Sequence, residues 1–466
     1  MPSRRQYGVL ELSAATAVLA TVASGCVSAQ TRQTLDHSYE VATRHVRETP
    51  RASTEGRAIS ETDLAEPLER DLVVAQAVAR SPALAVMAHR ARALVHAGRA
   101  EGSLPPAELG FEAWNLPLAR PYALGEADMY MVELRQRFPA AGSLDAKARA
   151  TAEEAQAMLA ELSSEERLVA ERAANAFVDY LQSCAERRLL EHQLALLSRM
   201  GQAVRARYTT GGVGLAEAAR IDVEIAKAKR ALARVAGDTA RSRAMLNAVL
   251  RRPPGAPLGE PSEGPPETVR LPVEALIARA EANRGATLAA NARVRAASAR
   301  REAAAAEARV PEFMVGLGYW QDPTMRPGVG VTASMSLPWL WGPNRDLVRR
   351  GEEEEAAERA LRESAGLETQ AEVSEAHARL LALEAQLSVI RGQALPATTR
   401  SMEALTAAFS TGNASLLEWV DVARSVLDLE MEVVVLHGEL QRGVASLERA
   451  VGTALPRTPL HEDSTP

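Results

Sequence analysis

Apolar positions recur at helical spacing over most of this chain and alternate in only two short stretches. A helix without proline is predicted from about Leu144 to Tyr208. Its later part carries a seam spaced by four and three residues, formed by Leu190, Leu194, Leu197, Gly201, Val204 and Tyr208. This spacing is typical of coiled-coil packing. The glycine-rich turn at Gly211 and Gly212 ends the helix, and a second helix from about Leu215 carries a similar seam.

The same order of elements is predicted again about 200 residues later. A helix from Leu271 to Arg309 precedes a long helix from Arg345 to Phe409, which Pro396 should kink slightly. Gly412 ends this helix, and a last helix returns from Leu416 to Val451. We therefore predict two internal repeats. The predicted segments are residues 1–25 (signal peptide), 26–67 (N-terminal arm, extended from Gln30 to about Arg70), 68–270 (first repeat), 271–455 (second repeat) and 456–466 (C-terminal tail).

The two alternating stretches are Leu109–Phe138 and Phe313–Trp341, and each predicts two strands joined by a turn. They hold ten of the chain's 17 aromatic residues. One face of each strand is apolar and the other is polar or small, over a length of about ten residues. The candidate membrane-strand residues are Phe111, Trp114, Tyr130, Val132, Leu134, Phe313, Val315, Leu317, Tyr319, Val331 and Leu337.

Two interpretations of these hairpins are open. They pack on a soluble core, or they cross a bilayer, for which their length and their aromatic ends are suited. Four strands cannot close a barrel, and open strand edges are not tolerated in hydrocarbon. The second interpretation therefore requires several copies of the chain to share one barrel.

The N-terminus has the features of an export signal. Arg4 and Arg5 precede an apolar run, and Cys26 follows Ser24-Gly25 as in a lipoprotein signal with an imperfect lipobox. Lipidation of Cys26 would tether the chain to a membrane. Ordinary cleavage after Ala29 is the alternative.

Composition and motifs give no support for an enzyme or for nucleic-acid binding. The formal charge is −6, and the sequence contains no HExxH, Gly-x-Ser-x-Gly or Walker-type motif. No catalytic residue, cofactor or resident metal is predicted. The scattered histidines fit helix faces or metal ligands, and the hairpin methionines fit strand packing or soft-metal binding.

The repeated order of helix, hairpin, long helix, Thr-Gly turn and returning helix resembles the TolC-type outer-membrane efflux factor family. The resemblance is carried by the two Tyr/Phe-x-Thr-Gly turns, each followed by Leu-x-Glu, and by the strand exits Phe138-Pro139 to Gly142 and Leu337-Pro338 to Gly342. It covers about Leu68 to Leu455.

The resemblance implies a mainly helical fold with a small transmembrane β part. Three protomers would close a 12-stranded barrel in the outer membrane of a Gram-negative bacterium, above a periplasmic tunnel of long antiparallel coiled-coil helices. The implied partners are two further copies, a periplasmic adaptor protein, an inner-membrane RND-type pump and outer-membrane lipid. The implied function is passive export of metal ions or small toxic compounds. Arg135–Phe138 resembles the strand exit of metal-exporting members, although Ser143 stands where lysine is usual.

The alternative function is a periplasmic coiled-coil adaptor or scaffold lipoprotein without a pore. Such an adaptor needs one helical hairpin within β-rich modules, whereas this chain has two long hairpins and two short β excursions. The pattern therefore favours the duct.

The family places acidic residues at the narrow periplasmic mouth, just past the Thr-Gly turns. Glu418 and Asp421 occupy this position in the second repeat, and Glu217 and Arg220 occupy it in the first. Threefold symmetry would form a carboxylate ring that favours cations. Arg220 would instead pair with Asp421 to close the mouth, and a solvated helix face is the third possibility. Gly211, Gly212 and Gly412 are expected to allow tight reversals, because positive φ suits glycine.

Overall fold

The computed structural model describes residues 27–460, apart from 49–63, 65–66, 117, 121, 124–125, 323–325, 341 and 343. Cys26 and the predicted signal segment lie outside the described residues. Among the helices that are described, none is by itself both long and apolar enough to cross a membrane. One bent pair, Arg70–Ala79 with Pro82–Glu101, meets the requirement by length and composition.

The described part of the chain is mainly helical. The helices are α1 (Ala29–Glu48), α2 (Arg70–Ala79), α3 (Pro82–Glu101), α4 (Ser143–Thr209), α5 (Leu215–Val249), α6 (Val273–Asn283), α7 (Gly285–Arg309), α8 (Asn344–Val389), α9 (Leu395–Thr411) and α10 (Leu416–Val451). The strands are β1 (Glu108–Trp114), β2 (Met129–Phe138), β3 (Glu267–Thr268), β4 (Phe313–Gln321), β5 (Gly328–Met335) and β6 (Thr458–Pro459). The long helices predicted from Leu144 and from Leu215 are confirmed.

The chain folds into two compact units. The sheet unit comprises Val86–Glu161 and Ala286–Ala365 together with the segment that ends at Val46. The helical unit comprises Arg47–Ala85, Leu162–Gly285 and Gly366–Pro466. Each unit thus takes segments from both predicted repeats.

The sheet unit contains both predicted hairpins in one four-stranded antiparallel sheet. Its strand order is β1-β2-β4-β5. The central pair, β2 with β4, is in register from Phe138 opposite Phe313 to Tyr130 opposite Gln321. β1 and β5 are the two edges, and neither edge has a further strand among the described residues.

The second hairpin is shorter than its sequence pattern predicted. β5 ends at Met335, which pairs with the first residue of β4, Phe313, so that Leu337 lies beyond the strand. The assignment of Leu337 to a membrane strand is therefore wrong. The reason is that the partner strand has no residue left to pair, and Pro338 offers no N–H to continue the ladder.

Alanine forms the buried faces of the helices in the sheet unit. In α4 the buried residues include Ala148, Ala152, Ala155 and Ala157, and in α7 they include Ala289, Ala292, Ala296, Ala299 and Ala303. Ion pairs flank this alanine contact, such as Arg149 with Glu302 at 2.9 Å and Arg295 with Glu153 at 2.8 Å. Small side chains let helices approach closely, which explains the high alanine content of the sequence.

Larger side chains fill the core of the helical unit. One cluster contains Leu380, Leu440 and Leu447, and a second is formed around Phe177 and Leu246. A third lies near the two Thr-Gly turns and contains Trp419, which is fully buried. The seam residues Leu197 and Val204 belong to this third cluster, as coiled-coil packing requires.

The single helix predicted from Leu271 to Arg309 is interrupted at Arg284. This residue is extended, with φ −67° and ψ 120°, between α6 and α7. Gly452, at φ +82°, lies against it so closely that a Cβ there would be 2.6 Å from the Arg284 Cα. The Arg284 guanidinium also donates to Glu372 at 2.9 Å. The break is therefore held by residues distant in sequence.

Pro396 produces a local change of helix type. A π-helical turn, Ile390–Ala394, separates α8 from α9, and Pro396 lies in the first turn of α9. Proline cannot donate the hydrogen bond that an α-helix needs at this point. The wider turn absorbs this loss, so the predicted kink takes the form of a π turn.

The N-terminal arm is helical over Ala29–Glu48, where the sequence pattern predicted an extended segment. Four residues at helical spacing, Thr31, Leu35, Ser38 and Ala42, are buried. Leu35 packs at Gly98 of α3, which leaves room for it. Because three of the four buried side chains are small or polar, the apolar period was too weak to be recognised.

Candidate functional site

The apolar face of the sheet is exposed. Its large side chains are 36% (Phe313) to 74% (Leu109 and Val331) exposed. They are Leu109, Phe111, Val132, Leu134, Phe313, Val315, Leu317, Tyr319, Val329, Val331 and Met335. Tyr130 lies on the same face and stacks on Phe111 at 6.3 Å between ring centroids. A continuous apolar surface of this kind marks an interaction with lipid or protein.

Trp114 belongs to β1, as predicted, but lies on the other face of the sheet. It is the residue next to Ala113 on β1, and its indole N–H donates to Glu112 at 3.2 Å. Trp114 therefore lies on the polar face, since neighbouring residues of a strand point to opposite sides. The alternation predicted for Tyr130–Phe138, Phe313–Tyr319 and Val331–Met335 is confirmed.

The opposite face of the sheet carries a connected polar cluster. Glu133 is 4% exposed and accepts a hydrogen bond from Thr332, and its carboxylate lies 2.7 Å from the Arg135 guanidinium. Arg135 also reaches Glu112 at 3.2 Å. Gly316 provides the space for the Glu133 carboxylate, because a Cβ there would collide with it. This face therefore pairs charges of β1 and β2, and the Thr332 hydroxyl of β5 joins the cluster.

Trp320 lies flat across two glycines on this polar face. A Cβ at Gly328 would be 2.6 Å from the Trp320 ring, and one at Gly330 would collide with it. Glycine in strands often marks such a close approach. The large ring is thereby kept against the sheet and does not project away from it.

The two Thr-Gly turns close their helices with the same hydrogen bonds. Gly211 N–H donates to the Tyr208 carbonyl at 3.1 Å, and Gly412 N–H donates to the Phe409 carbonyl at 3.1 Å. The next residue reaches back in both, as when Gly212 N–H donates to the Arg207 carbonyl at 2.7 Å. This is the pattern of a Schellman C-cap.

Two of the three predicted turn glycines need their glycine conformation. Gly211 has φ +75° and Gly412 has φ +85°. Gly212 is not among the residues with positive φ, so the prediction that this turn needs a glycine conformation at Gly212 is wrong. A Cβ there would meet the Arg207 carbonyl at an ordinary 3.4 Å.

Glu217 and Glu418, the acidic residues predicted for the mouth, each cap the helix that leaves a turn. Glu217 accepts the Gly214 N–H at 3.1 Å, and Glu418 accepts the Ser415 N–H at 3.0 Å. Glu418 also accepts the Ser415 hydroxyl at 2.9 Å. The backbone and then the side chain of Ser415 hold the pKa of the Glu418 carboxyl below its usual value. A structural role thus accounts for both residues.

Asp421 and Arg220 do not pair with each other in the described part of the chain. Asp421 is exposed and lies 3.8 Å from Arg424, one turn further along α10. Arg220 is also exposed, and among the described residues it has no ion-pair partner. Apart from this long contact with Arg424, the Asp421 carboxylate is open to solvent, with its side chain 57% exposed.

An ion pair with a buried carboxylate near the turns was missed by the sequence prediction. Glu224 of α5 is 7% exposed and accepts from Arg424 at 2.6 and 3.2 Å and from Lys227 at 2.9 Å. Burial raises the pKa of the Glu224 carboxyl, but these hydrogen bonds outweigh it and hold the pKa below its usual value. The sequence signal that could have identified Glu224 is its position between Ile221 and Ala228, two buried residues of the same helix face.

Arg207 also joins the two turns. It donates to the Phe409 carbonyl at 2.7 Å, and its guanidinium lies 5.1 Å from the centre of the Phe409 ring. Trp419 adds an indole hydrogen bond to Thr406 at 2.9 Å. The two helical hairpins are therefore tied together near their turns by Arg207 and by the pair Glu224–Arg424.

The first described residues contact both ends of the first hairpin. Val27 packs at Gly102 after α3, and the Ser28 N–H donates to Asp145 of α4 at 2.8 Å. The Ser28 hydroxyl accepts the Thr31 N–H at 3.2 Å and so caps α1. The chain just after Cys26 is thus held at the base of the sheet.

The described side chains contain no cluster of three or more His, Cys, Asp or Glu residues able to hold a metal ion. The candidate sites are the exposed apolar face of the sheet, its polar face and the pair of Thr-Gly turns.

Residues 276–453 match the family model described as outer membrane efflux protein. No curated protein matches the chain. Among solved structures, the chain is similar to CusC, studied for conformational changes accompanying folding and transmembrane channel formation. That match has TM-score 0.71 and 16% identity, over 84% of this chain and 93% of that chain.

A membrane protein from Pseudomonas aeruginosa matches with TM-score 0.70 and 17% identity, over 86% of this chain and 94% of that chain. The outer membrane protein VceC from Vibrio cholerae matches with TM-score 0.69 and 18% identity, over 83% and 96%. At these identities the likeness establishes the fold. The resemblance predicted from the sequence is thereby confirmed.

Proposed function

We propose that this chain, which carries an outer membrane efflux protein domain on the fold of the TolC-type channels, is the outer-membrane duct of a tripartite efflux system. It would act as a passive homotrimer that receives metal ions or small toxic compounds from an inner-membrane pump and a periplasmic adaptor. It would perform no catalysis.

The exposed apolar face of the sheet is the observation that carries this proposal. In water, a surface containing Leu109, Leu317 and Val331 at more than half exposure would be a liability for aggregation. In a bilayer it is the face that lipid requires. A soluble adaptor without a pore would leave this surface uncovered, which disfavours that alternative.

The open edges of the sheet support assembly of several copies. β1 and β5 run antiparallel to their neighbours, and an even number of strands lets β5 of one copy pair with β1 of the next. Two copies would give an eight-stranded barrel, and side chains fill the interior of a barrel of that size. Three copies give twelve strands and leave an aqueous lumen lined by the polar face that contains Glu133 and Arg135.

The Thr-Gly turns are proposed as the periplasmic mouth of the duct. Asp421 is the better candidate for an ion-selective ring, since its carboxylate is exposed, whereas that of Glu418 is held by Ser415. Glu217 and Arg220 would flank the same opening. Arg207 and the Glu224–Arg424 pair would stabilise its closed form.

Lipidation of Cys26 is the processing that best fits the contacts of α1. Cleavage after Ala29 would remove Val27, which packs at Gly102, and Ser28, which caps α1 and binds Asp145. Cleavage before Cys26 keeps both and places an acyl chain at the base of the sheet. Intact-mass measurement of the purified protein tests this, since an unmodified chain beginning at Gln30 would contradict it.

The membrane assignment is tested by cysteine labelling of assembled protein in outer membranes. Cys184 is buried and is replaced by serine to give a clean background. We expect Leu317→Cys to resist a water-soluble maleimide and Ser334→Cys, on the opposite face of the same hairpin, to react. Equal, rapid labelling at both positions would remove the membrane role.

Assembly and conduction are tested together. Heat-modifiable trimers in the outer-membrane fraction, with ion conductance in planar bilayers, are expected. A monomer released by osmotic shock would support the adaptor interpretation and contradict the duct.

A further inference from the structure

An open groove of about 590 Å³ lies where the second hairpin meets its helices. It is lined by the last residue of α7, Arg309, by the first turns of α8 with Arg345 and Arg349, and by Trp339 and Leu340. All of these belong to the sheet unit. Glu352 also lines the groove, so the charged side chains leave an excess of two positive charges in a chain whose net charge is −6.

The three arginines differ from their neighbours on the same helices. Earlier on α7, Arg295 pairs with Glu153 at 2.8 Å and Arg301 pairs with Glu355 at 2.8 Å. On α8, Arg350 pairs with Glu354 at 2.7 Å. Within the described part of the chain, by contrast, Arg309, Arg345 and Arg349 have no ion-pair partner. A group of cations left unpaired around one groove is suited to an external anion.

At the first hairpin, the position equivalent to this groove is covered by another segment of the chain. Counted from the strand-exit glycines Gly142 and Gly342, Arg345 corresponds to Asp145. Asp145 accepts hydrogen bonds from Ser28 at 2.8 Å and Thr31 at 3.0 Å, so that the start of α1 covers the first helix there. No described segment covers the second helix in this way, and the acidic side chain is replaced by a basic one.

The groove also borders the apolar face of the sheet. It begins just after β5, whose exposed Met335 ends that face. Trp339 is 59% exposed and Leu340 is 48% exposed. Tryptophan is enriched at membrane interfaces, where an apolar ring lies beside polar headgroups. The groove therefore combines a basic wall with an apolar rim continuous with the sheet.

We propose that this groove binds the headgroup phosphate of an anionic phospholipid in the leaflet at the base of the barrel. Arg309, Arg345 and Arg349 would hold the phosphodiester, with Trp339 and Leu340 against the upper part of the acyl chains. The site rests on the proposed membrane role of the sheet. It would fix the height of each protomer in the bilayer and give the trimer a preference for anionic lipid.

The test measures lipid binding to the purified, detergent-solubilised trimer by native mass spectrometry. The probes are phosphatidylglycerol, phosphatidylcholine with the same acyl chains, and inorganic phosphate as a competitor. Each arginine near an anionic headgroup contributes a factor of about five, so Arg309→Gln/Arg345→Gln/Arg349→Gln should weaken phosphatidylglycerol binding by about 100-fold. Phosphatidylcholine binding should change little.

The matched control removes three arginines elsewhere on α8, as Arg350→Gln/Arg359→Gln/Arg362→Gln, and should bind phosphatidylglycerol as the native chain does. Equal loss in both variants, or no loss in the first, overturns the site. Full competition by inorganic phosphate overturns its assignment to lipid. Planar-bilayer conductance is measured on the same samples: conductance without selective lipid binding refutes the site alone, and absence of conductance in the native chain refutes the proposed function.

Discussion

The contact between Glu224 and Arg424 provides the most direct test of how the two helical hairpins are joined. Glu224→Gln removes the charge and keeps the size of the side chain. In the native chain Glu224 is 7% exposed, and its carboxylate accepts two hydrogen bonds from Arg424 and one from Lys227. The substitution removes the counter-charge that both cations share and leaves Arg424 only the longer contact with Asp421, at 3.8 Å.

The magnitude follows from the burial of the two partners. Breaking a fully buried ion pair costs about 3–5 kcal/mol, and an exposed pair contributes less than about 1 kcal/mol. The Arg424 side chain is 42% exposed, so water can solvate it once Glu224 is neutral. We therefore expect the free energy of unfolding to fall by about 2 kcal/mol.

The effect should depend on pH in one direction. The pKa of Glu224 is lower in the folded protein than the ordinary value of 4.5. Its contribution is therefore fully present above about pH 4.5 and is lost as the pH falls through the folded pKa. The difference between the native chain and Glu224→Gln should be full at pH 7 and should shrink at strongly acidic pH.

Thermal unfolding of the purified protein, followed by circular dichroism, measures both effects. Glu403→Gln is the control, because Glu403 is an exposed carboxylate on α9 of the other hairpin with no ion pair among the described residues. Adding Arg424→Gln to Glu224→Gln should cost little more, since the two positions share one interaction. Equal stability of Glu224→Gln and Glu403→Gln at pH 7, or strictly additive losses, would refute the reasoning.

Three further predictions concern glycines and the mouth. Gly452→Ala should lower the free energy of unfolding by about 2–4 kcal/mol, owing to its φ of +82° and its contact with Arg284, whereas Gly366→Ala in open space on α8 should be neutral or slightly stabilising in denaturant titrations. Gly330→Leu should displace Trp320 into the proposed lumen and lower single-channel conductance, and Gly110→Leu, where a Cβ meets nothing closer than 3.8 Å, should not. Asp421→Ala should reduce cation selectivity in planar bilayers more than Glu418→Ala does; unchanged selectivity in the double variant would exclude both from the mouth.

The local pattern of the sequence was sufficient for the long helices and for the strands. Apolar residues spaced by three and four predicted α4 and α5, because this spacing places them on one side of an α-helix, where packing can bury them together. Alternation predicted the two hairpins and which residues share a face. The turn glycines Gly211 and Gly412 were predictable because their backbone conformation is costly for other residues.

The tertiary structure alone decided the features that depend on contacts between residues far apart in the sequence. At the helix break, Gly452 packs against Arg284, and no local pattern contains that contact. Glu224 was visible as a charge in a buried seam, but its partner Arg424 lies 200 residues away and is chosen by the packing of α5 on α10. The sequence by itself thus determined the elements and their faces, because these depend on spacing along one segment. The pairing of charges and the points where helices break were decided by three-dimensional packing, because each needs a second segment brought near in space.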